Sequence, residues 1–368
     1  MTRPLSLAAF DRIAPAATAR LVAGLSAEID AVAACAAETH RHLRYGWFAA
    51  AVAAYGGHPR TLIADDDGLP VLALPLVALG PPLLGLAAVP GSYWPFRSFP
   101  IAVAASDAAA HAALAELGRC CRGLRIGPVA DGDPGAEALA AAARAAGWTV
   151  LDRIVGQAQM QDLADSAWPR GSSLRKNRFH EKHLAAHGAV DCRFLRVADW
   201  PGAFDLFAAV EAQSWVAGAP DAKFGRAHGR FWRLAAADST LAAAFSAALL
   251  TIDGDPVAFS FDLDAGETRY AIANSYAARL ARHSPGKLLH YRNLIDARAR
   301  GIRRIDWGMG DSGYKAVLGA ASGPLLRDYL LLRPGAPGAI GRLLARRGGW
   351  AAGVASPQTA ATRRRTPN

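Results

Sequence analysis

The sequence predicts an α/β protein made of two copies of one unit, each a mixed sheet with helices on its faces. Three observations carry that prediction. The first is a repeated hairpin signature. Ile63-Ala-Asp-Asp-Asp-Gly-Leu-Pro-Val71 and Leu250-Thr-Ile-Asp-Gly-Asp-Pro-Val257 each read as strand, tight turn and strand, and a single offset aligns Gly68 with Gly254 and Pro70 with Pro256. The second is an echo downstream, at a slightly shorter offset. A helix-patterned 109–122 runs into Gly123-Leu-Arg-Ile-Gly127, as the helix ahead of Gly301 runs into Ile302-Arg-Arg-Ile-Asp306. The third is the stretch from Arg282 to Lys315, in which a turn suited to phosphate is followed by a helix and a glycine-loosened strand end.

In the first copy, 71–90 is almost continuously apolar, but Pro75, Gly80, Pro81 and Pro82 divide it. It therefore reads as two buried strands and a turn rather than a membrane span. Where the second copy has Ser-Pro-Gly, the first has Val89-Pro-Gly-Ser-Tyr-Trp-Pro-Phe-Arg-Ser-Phe99, without a clear helix start, so it is not expected to hold the same phosphate. Its Tyr93, Trp94, Phe96 and Phe99 suit either an inter-domain seam or the stacking of a sugar. A basic helix with Arg175, Lys176, Arg178 and Lys182 is expected to connect the copies over 168–188; it reads as a solvated face or a phosphate contact. The second copy follows with a strand near 190–197, helices near 201–215 and 225–236, and strands at 244–252, 256–263 and 268–275. A helix from Pro285, a buried strand from Ile302 and a last strand near 325–332 complete it. The expected domains are 1–167, the connecting helix 168–188, 189–335, and a basic tail over 336–368.

Composition sets the frame. A chain of 368 residues can bury two cores, and 52% apolar with 20% charged residues is the balance of a folded protein. The net charge of +10 points to anionic partners, yet Arg342, Arg346, Arg347, Arg363, Arg364 and Arg365 crowd the last stretch, which reads as a solvated tail. Cys35, Cys120, Cys121 and Cys192 have neither metal-ligand spacing nor the density of a disulfide scaffold, and a reducing cytoplasm fits them. No signal-peptide pattern is read in Met1 to Arg20, so a cytoplasmic location is expected.

The candidate chemistry lies mostly between Arg282 and Lys315. Ser284 is a favoured N-cap, Pro285 suits the first helical position and Gly286 permits close approach to the backbone, while Arg282 and Lys287 add charge. Such a helix start can hold a phosphate. Beyond the strand, Gly308, Gly310 and Gly313 open the chain ahead of Tyr314 and Lys315, either of which could serve as an acid or hold an anionic substrate. Asp311 could orient Lys315 or an acceptor hydroxyl, or simply form a turn. Glu211, on the helix after the second copy's first strand, is a candidate base or a solvated carboxylate. His290 reads as packed or exposed rather than catalytic, and His180 and His183 lack partners at metal-ligand spacing, so no metal is expected.

These residues resemble the GNAT superfamily of N-acetyltransferases in duplicated form. The likeness is to the CelD/BcsL-like acetyltransferases of cellulose and exopolysaccharide biosynthesis, relatives of the FemAB transferases. It covers roughly Trp168 to Leu332, through Ser173-Leu-Arg-Lys-Asn-Arg, Glu211 with Trp215, Asp253-Gly-Asp-Pro-Val, Ser284-Pro-Gly-Lys-Leu-Leu and Gly310-Asp-Ser-Gly-Tyr-Lys315. The resemblance implies tandem GNAT-like units, each with a mixed, mostly antiparallel sheet flanked by helices. It implies acyl transfer, without a metal, from acetyl-CoA or another acyl-CoA to an amine or hydroxyl of a sugar or polysaccharide precursor. Arg282, Ser284, Gly286 and Lys287 would then hold the donor, and Glu211, Asp311, Tyr314 and Lys315 would serve the chemistry. The turn before the helix departs from many GNAT enzymes in having a single glycine. Two alternatives stay open: a FemAB-like aminoacyl-tRNA-dependent transferase, and a non-catalytic glycan- or nucleotide-binding module. The sequence shows neither a long heptad hairpin nor a basic stripe with interleaved aromatics, so nucleic acid is not the expected partner. A small-molecule or glycan acceptor is expected, with no transmembrane segment and with peripheral membrane contact left open.

Overall fold

The structure is a computed structural model that describes residues 17–91, 96–165, 168–217, 222–310 and 313–346. Asp311, Tyr93, Trp94 and the arginines from Arg347 onward lie outside the described residues.

The first half runs β1 (Thr18–Ala23), α1 (Glu28–Cys35), α2 (Tyr45–Tyr55), β2 (Arg60–Asp66), β3 (Leu69–Ala78), β4 (Leu86–Ala88), α3 (Asp107–Cys120), β5 (Gly123–Ala130), α4 (Pro134–Ala145) and β6 (Thr149–Asp162). The second half runs α5 (Gly171–Leu184), β7 (Val190–Leu195), α6 (Trp200–Ala212), α7 (Arg226–Ala235), α8 (Ser239–Ala244), β8 (Phe245–Ile252), β9 (Asp255–Ala265) and β10 (Thr268–Tyr276). It closes with α9 (Pro285–Ala299), β11 (Arg304–Met309), α10 (Tyr314–Leu318), β12 (Ala321–Leu332) and α11 (Ala336–Arg346).

The hairpins β2–β3 and β8–β9 turn in the same way. Asp67 and Gly68 have φ of 50° and 80°, and Asp253 and Gly254 have 50° and 87°. Positive φ at both central residues gives a turn whose twist matches that of the flanking strands, and Asp-Gly tolerates it best. Each hairpin also shifts register at the corresponding place, between Ala64 and Asp65 and between Leu250 and Thr251. Pro75, expected to break the apolar run, instead lies inside β3 opposite Thr61. The β4 neighbour pairs only with Val77 and Ala78, so no ladder bond from β4 is lost at a residue without an N–H.

Among the described residues twelve strands form one sheet, in the order β1-β2-β3-β4-β5-β12-β6-β11-β10-β9-β8-β7. Most pairs are antiparallel; β4 with β5 and β10 with β11 are parallel. The two halves exchange their last strands. β6 leaves the first half to pair with β11, and β12 returns from the second half to pair with β5, so that β6 and β12 meet in the middle from Thr149–Leu332 to Met160–Ala321. The sequence did not mark β6 as a strand. Nor is α5 a free connector: Leu184 is buried with Leu280, Leu288 and Leu289, and Glu181 pairs with Arg292 of α9.

The main core runs through both halves. Trp47 of α2 meets Phe231 and Trp232 of α7 edge-on at 4.9 and 5.9 Å, and Phe207 of α6 stacks on Phe259 at 4.8 Å. Phe96 and Phe99 are buried in this seam, and Phe96 lies edge-on to Tyr270 at 5.5 Å. At the strand exchange the buried Asp328 of β12 accepts hydrogen bonds from Arg125 of β5 at 2.9 Å and Arg153 of β6 at 2.8 Å. Arg97 lies close by; its pKa is lowered by burial and by Arg125, with Asp328 opposing the shift. All four cysteines are free thiols. Among the described residues no helix is long and apolar enough to cross a membrane.

Candidate active site

Strands β10 and β11 stay together for only three residue pairs, Thr268–Arg304, Arg269–Ile305 and Tyr270–Asp306. Beyond them β10 follows β9 as far as Tyr276, while β11 follows β6, with a register shift before Met309 meets Ala158. The two strands therefore part into a wedge between 271–276 and 307–309. Backbone groups along such edges need partners, and an extended ligand carrying amides can supply them as an added strand. In the first half the chain itself lies along the corresponding position. Past the β4–β5 pairs, Arg97 N–H donates to Pro128 O and Gly127 N–H donates to Arg97 O, each at 3.0 Å.

Helix α9 begins at the mouth of the wedge, since a crossover helix between parallel strands returns from their carboxyl ends. Gly286 touches the end of β10: a Cβ there would sit 2.9 Å from Tyr276 Cδ1, so glycine serves helix–strand packing at this point. Ser284 departs from the expected N-cap. Its backbone is left-handed, φ 55° and ψ 46°, and its side chain makes no capping bond. Side-chain capping relies on an extended backbone at this position. Instead the Ser284 carbonyl accepts from the N–H groups of Lys287 and Leu288. Lys287 and Arg282 are exposed, and beside them His187 and His283 approach to 3.0 Å between Nε2 atoms. The His180 pKa is lowered by desolvation and then by Lys287, His183 and Lys176; that of His283 is lowered by desolvation and then by His187 and Arg282. Like charges crowd this helix start, and an anion bound there would relieve them.

On the α9 face of the wedge, His290 lies edge-on to Trp307 at 5.2 Å and nearly parallel to Tyr314 at 6.1 Å. Trp307 Nε1 donates to Gln161 Oε1. Burial pushes the His290 pKa down to about 4, and its Nδ1 has no hydrogen-bond partner among the described residues. Lys315 is not a surface lysine. It is buried, and its Nζ donates to the carbonyls of Gly308 and Met309 at 3.1 Å each, which gathers the end of β11.

The opposite face of the wedge meets the seam between the halves. Tyr270 and Asp306 are register partners and project to the same side. Burial pushes the Asp306 carboxyl up to about 6, against the opposing pull of the Gly308 N–H and of Lys315. Tyr270 is buried beside it, its pKa raised by burial and then by Asp306 and Asp133. His42 lies 6.3 Å from the Tyr270 ring, and burial followed by His40 lowers its pKa to about 3, against the opposing pull of the Thr39 backbone. Asp133 bonds His40 Nε2 and the Ser98 hydroxyl, each at 2.9 Å. Wedge and seam thus enclose a set of titratable groups held out of water.

Glu211 is placed otherwise than expected. Helix α6 covers the face of β9 that carries Phe259, whereas α9 covers the face whose Ser260 and Asp262 bond Asn293. Glu211 is buried and accepts from the main-chain N–H groups of Lys223 at 2.8 Å and Phe224 at 2.9 Å. Both oxygens are used, so the side chain clamps the approach to α7 rather than standing as a solvated carboxylate. Glu211→Gln replaces one acceptor by a donor facing an N–H. It should cost about 2 kcal/mol of stability, read from urea melts.

The structure therefore brings Arg282, Ser284, Gly286, Lys287, Tyr314 and Lys315 to one end of the wedge and leaves Glu211 across the sheet. Asp311 lies outside the described residues. Asp306, Tyr270 and His42, which the sequence did not single out, line the other face of the wedge. Asp306 opens the glycine-rich stretch that ends at Lys315, but its burial depends on a parallel partner that no local pattern announces. Among the described residues no group of three or more His, Cys, Asp or Glu side chains is arranged to hold a metal.

Residues 172–316 match the family model described as an acetyltransferase (GNAT) domain. Among solved structures the chain is similar to FemX, with a TM-score of 0.56 and 11% identity over 87% of this chain and 97% of that one. It is similar to a conserved protein of unknown function from Bacteroides thetaiotaomicron, with a TM-score of 0.55 and 14% identity over 83% and 97%. L-PGS from Bacillus licheniformis gives 0.53 and 12% over 88% and 97%. At such identities the likeness is one of fold. No curated protein matches the chain. The architecture, a mixed, mostly antiparallel sheet flanked by helices, is consistent with a GNAT-like fold.

Proposed function

We propose that the chain transfers an acyl group from an acyl-CoA thioester, laid in the wedge between β10 and β11, to an amine or hydroxyl that reaches Asp306 from the seam. The observation that carries this reading is the end of strand pairing at Tyr270–Asp306, directly beside a buried carboxyl whose pKa is about 6. The donor's amides pair with the parted strand edges, and its phosphates lie at the start of α9 near Arg282 and Lys287. Asp306 takes the acceptor's proton as the acceptor lone pair attacks the thioester carbonyl; the C–S bond breaks and the leaving thiolate takes a proton from Tyr314. Lys315 holds the end of β11 apart from β10, and Glu211 supports the acceptor side through its loop. Asp311 is assigned to the acceptor.

The same reading takes the halves as two copies of one unit, the first having given its wedge to its own segment around Arg97. The acceptor class proposed is a sugar or amino sugar of a polysaccharide precursor, which rests on the resemblance of the second half to enzymes of that kind.

Calorimetry with acetyl-CoA tests the donor. Lys287→Glu reverses an exposed charge at the helix start and should weaken binding about tenfold; equal affinity in the two proteins would remove the reading. A bulky residue at position 286 is unsuited to this test, since it would displace Tyr276 whether or not a coenzyme binds.

A further inference from the structure

A second cavity lies away from the wedge, on the sheet face turned from the core. In β12, Leu331 is buried in the core, so its neighbours Leu330 and Leu332 lie on the other face, Leu330 half-buried and Leu332 buried beneath α11. Leu332 and Leu86 converge over Gly123, where a Cβ would lie 2.7 Å from the first and 2.9 Å from the second. With Leu151 and Ile340 they line a trough of about 670 Å³. Helix α11 roofs it only in part: Gly341 lets the helix ride close on Leu332, while Ile340 stays 57% exposed and Leu84, on the same rim, 51%. The volume is that of ordinary ligand pockets, roughly 300–1,000 Å³.

Two cations stand on this rim. Arg122 Nη1 donates to the Leu83 carbonyl at 3.3 Å and Arg333 Nη1 to the Gly118 carbonyl at 3.0 Å. Neither has a carboxylate partner among the described residues. An apolar trough flanked by two guanidinium groups without counter-anions matches a hydrocarbon tail that ends in an acid. The chain's own last residues match it poorly. From Arg347 to Asn368 there is no Asp or Glu, and Arg347, Arg363, Arg364 and Arg365 would bring more positive charge to the rim.

We propose that this trough binds one molecule of a single-chain anionic amphiphile, its tail against Leu86, Leu151, Leu330 and Leu332 and its acid group between Arg122 and Arg333. The site is separate from the wedge. Leu151 and Ala158, at the two ends, are seven residues apart along β6, roughly 23 Å.

The test is calorimetry of the full chain with dodecanoate below its micelle concentration. One saturable site per chain is expected, about fifteenfold weaker for decanoate, because each of the two missing methylenes contributes roughly a fourfold factor. Dodecanol should bind at least tenfold more weakly than dodecanoate. Ile340→Glu, and separately the double variant Arg122→Glu with Arg333→Glu, should each weaken dodecanoate at least tenfold. Both should keep the wild-type thermal melt and the wild-type affinity for acetyl-CoA, because these side chains are exposed and remote from the wedge. Wild-type affinity for dodecanoate in both variants would overturn the proposal. So would the absence of saturable binding, or attachment to phosphatidylglycerol vesicles without any binding of free dodecanoate, which would mark a membrane contact instead.

Discussion

Asp306→Asn should lower the rate of acyl transfer by about 10²- to 10⁴-fold, the span general-base catalysis ordinarily supplies, and at the same time make the protein more stable at pH 8. The two effects share one cause. Burial raises the carboxyl from 3.8 to about 6, so above pH 6 the fold carries a charge that it solvates less well than water does. A shift of about two units corresponds to roughly 3 kcal/mol. Because the folded pKa lies above the unfolded one, protonation favours the fold: the stabilisation is fully present below about pH 4 and is lost as pH rises through 6. The asparagine variant never bears the charge, so its advantage over the wild type should be largest at pH 8, shrink through pH 6 and vanish near pH 4. Wild-type turnover should rise through pH 6 and then level off, as the base loses its proton. Urea melts at pH 4, 6 and 8, beside pH–rate profiles, measure both. Full activity in the variant, or a stability gap that ignores pH, would exclude Asp306 as the base.

Asp328→Asn should be the most damaging single substitution outside the wedge. The carboxylate is buried and answers Arg125 and Arg153 directly, with Arg97 alongside. Without its charge three guanidinium groups face one another in a region of low dielectric, and removing one partner of a buried ion pair costs about 3–5 kcal/mol. In a chain of this size that lowers the melting temperature by roughly 5 °C. Asp328 ties β12 to both β5 and β6, so the loss should appear as cooperative unfolding of both halves rather than fraying of one. Hydrogen exchange would show it: slow amides of β5 and β11 should become labile together. Protection lost in β5 alone would contradict the account.

The local elements were legible because their signals are local. Asp-Gly with positive φ writes both hairpins into the chain, and the glycine after α9, followed by Ile302, Ile305 and Trp307, marks β11. The start of α9 was placed correctly, although Ser284 opens it with a left-handed backbone and not with its hydroxyl. β6 is not legible because Thr149–Asp162 buries only Thr149, Ala158 and Gln161 and leaves the rest half-buried or exposed, and its partners lie more than a hundred residues onward. The site was half legible for the same reason. Arg282, Lys287, Tyr314 and Lys315 announce themselves by charge and glycine context. Asp306, Tyr270 and His42 become a group only when a parallel register and a seam between distant segments bring them together.

The exchange of β6 and β12 also governs the order in which the molecule can be completed. During synthesis β5 must wait for a strand that emerges some two hundred residues later, and until Leu332 has left the ribosome the early half presents an open hydrogen-bonding edge. At roughly 5–20 residues per second that interval lasts on the order of 10–40 seconds. A nascent chain of this design therefore depends on its second half for protection from misassembly, and a cut near residue 168 would yield two fragments that mature only in each other's company.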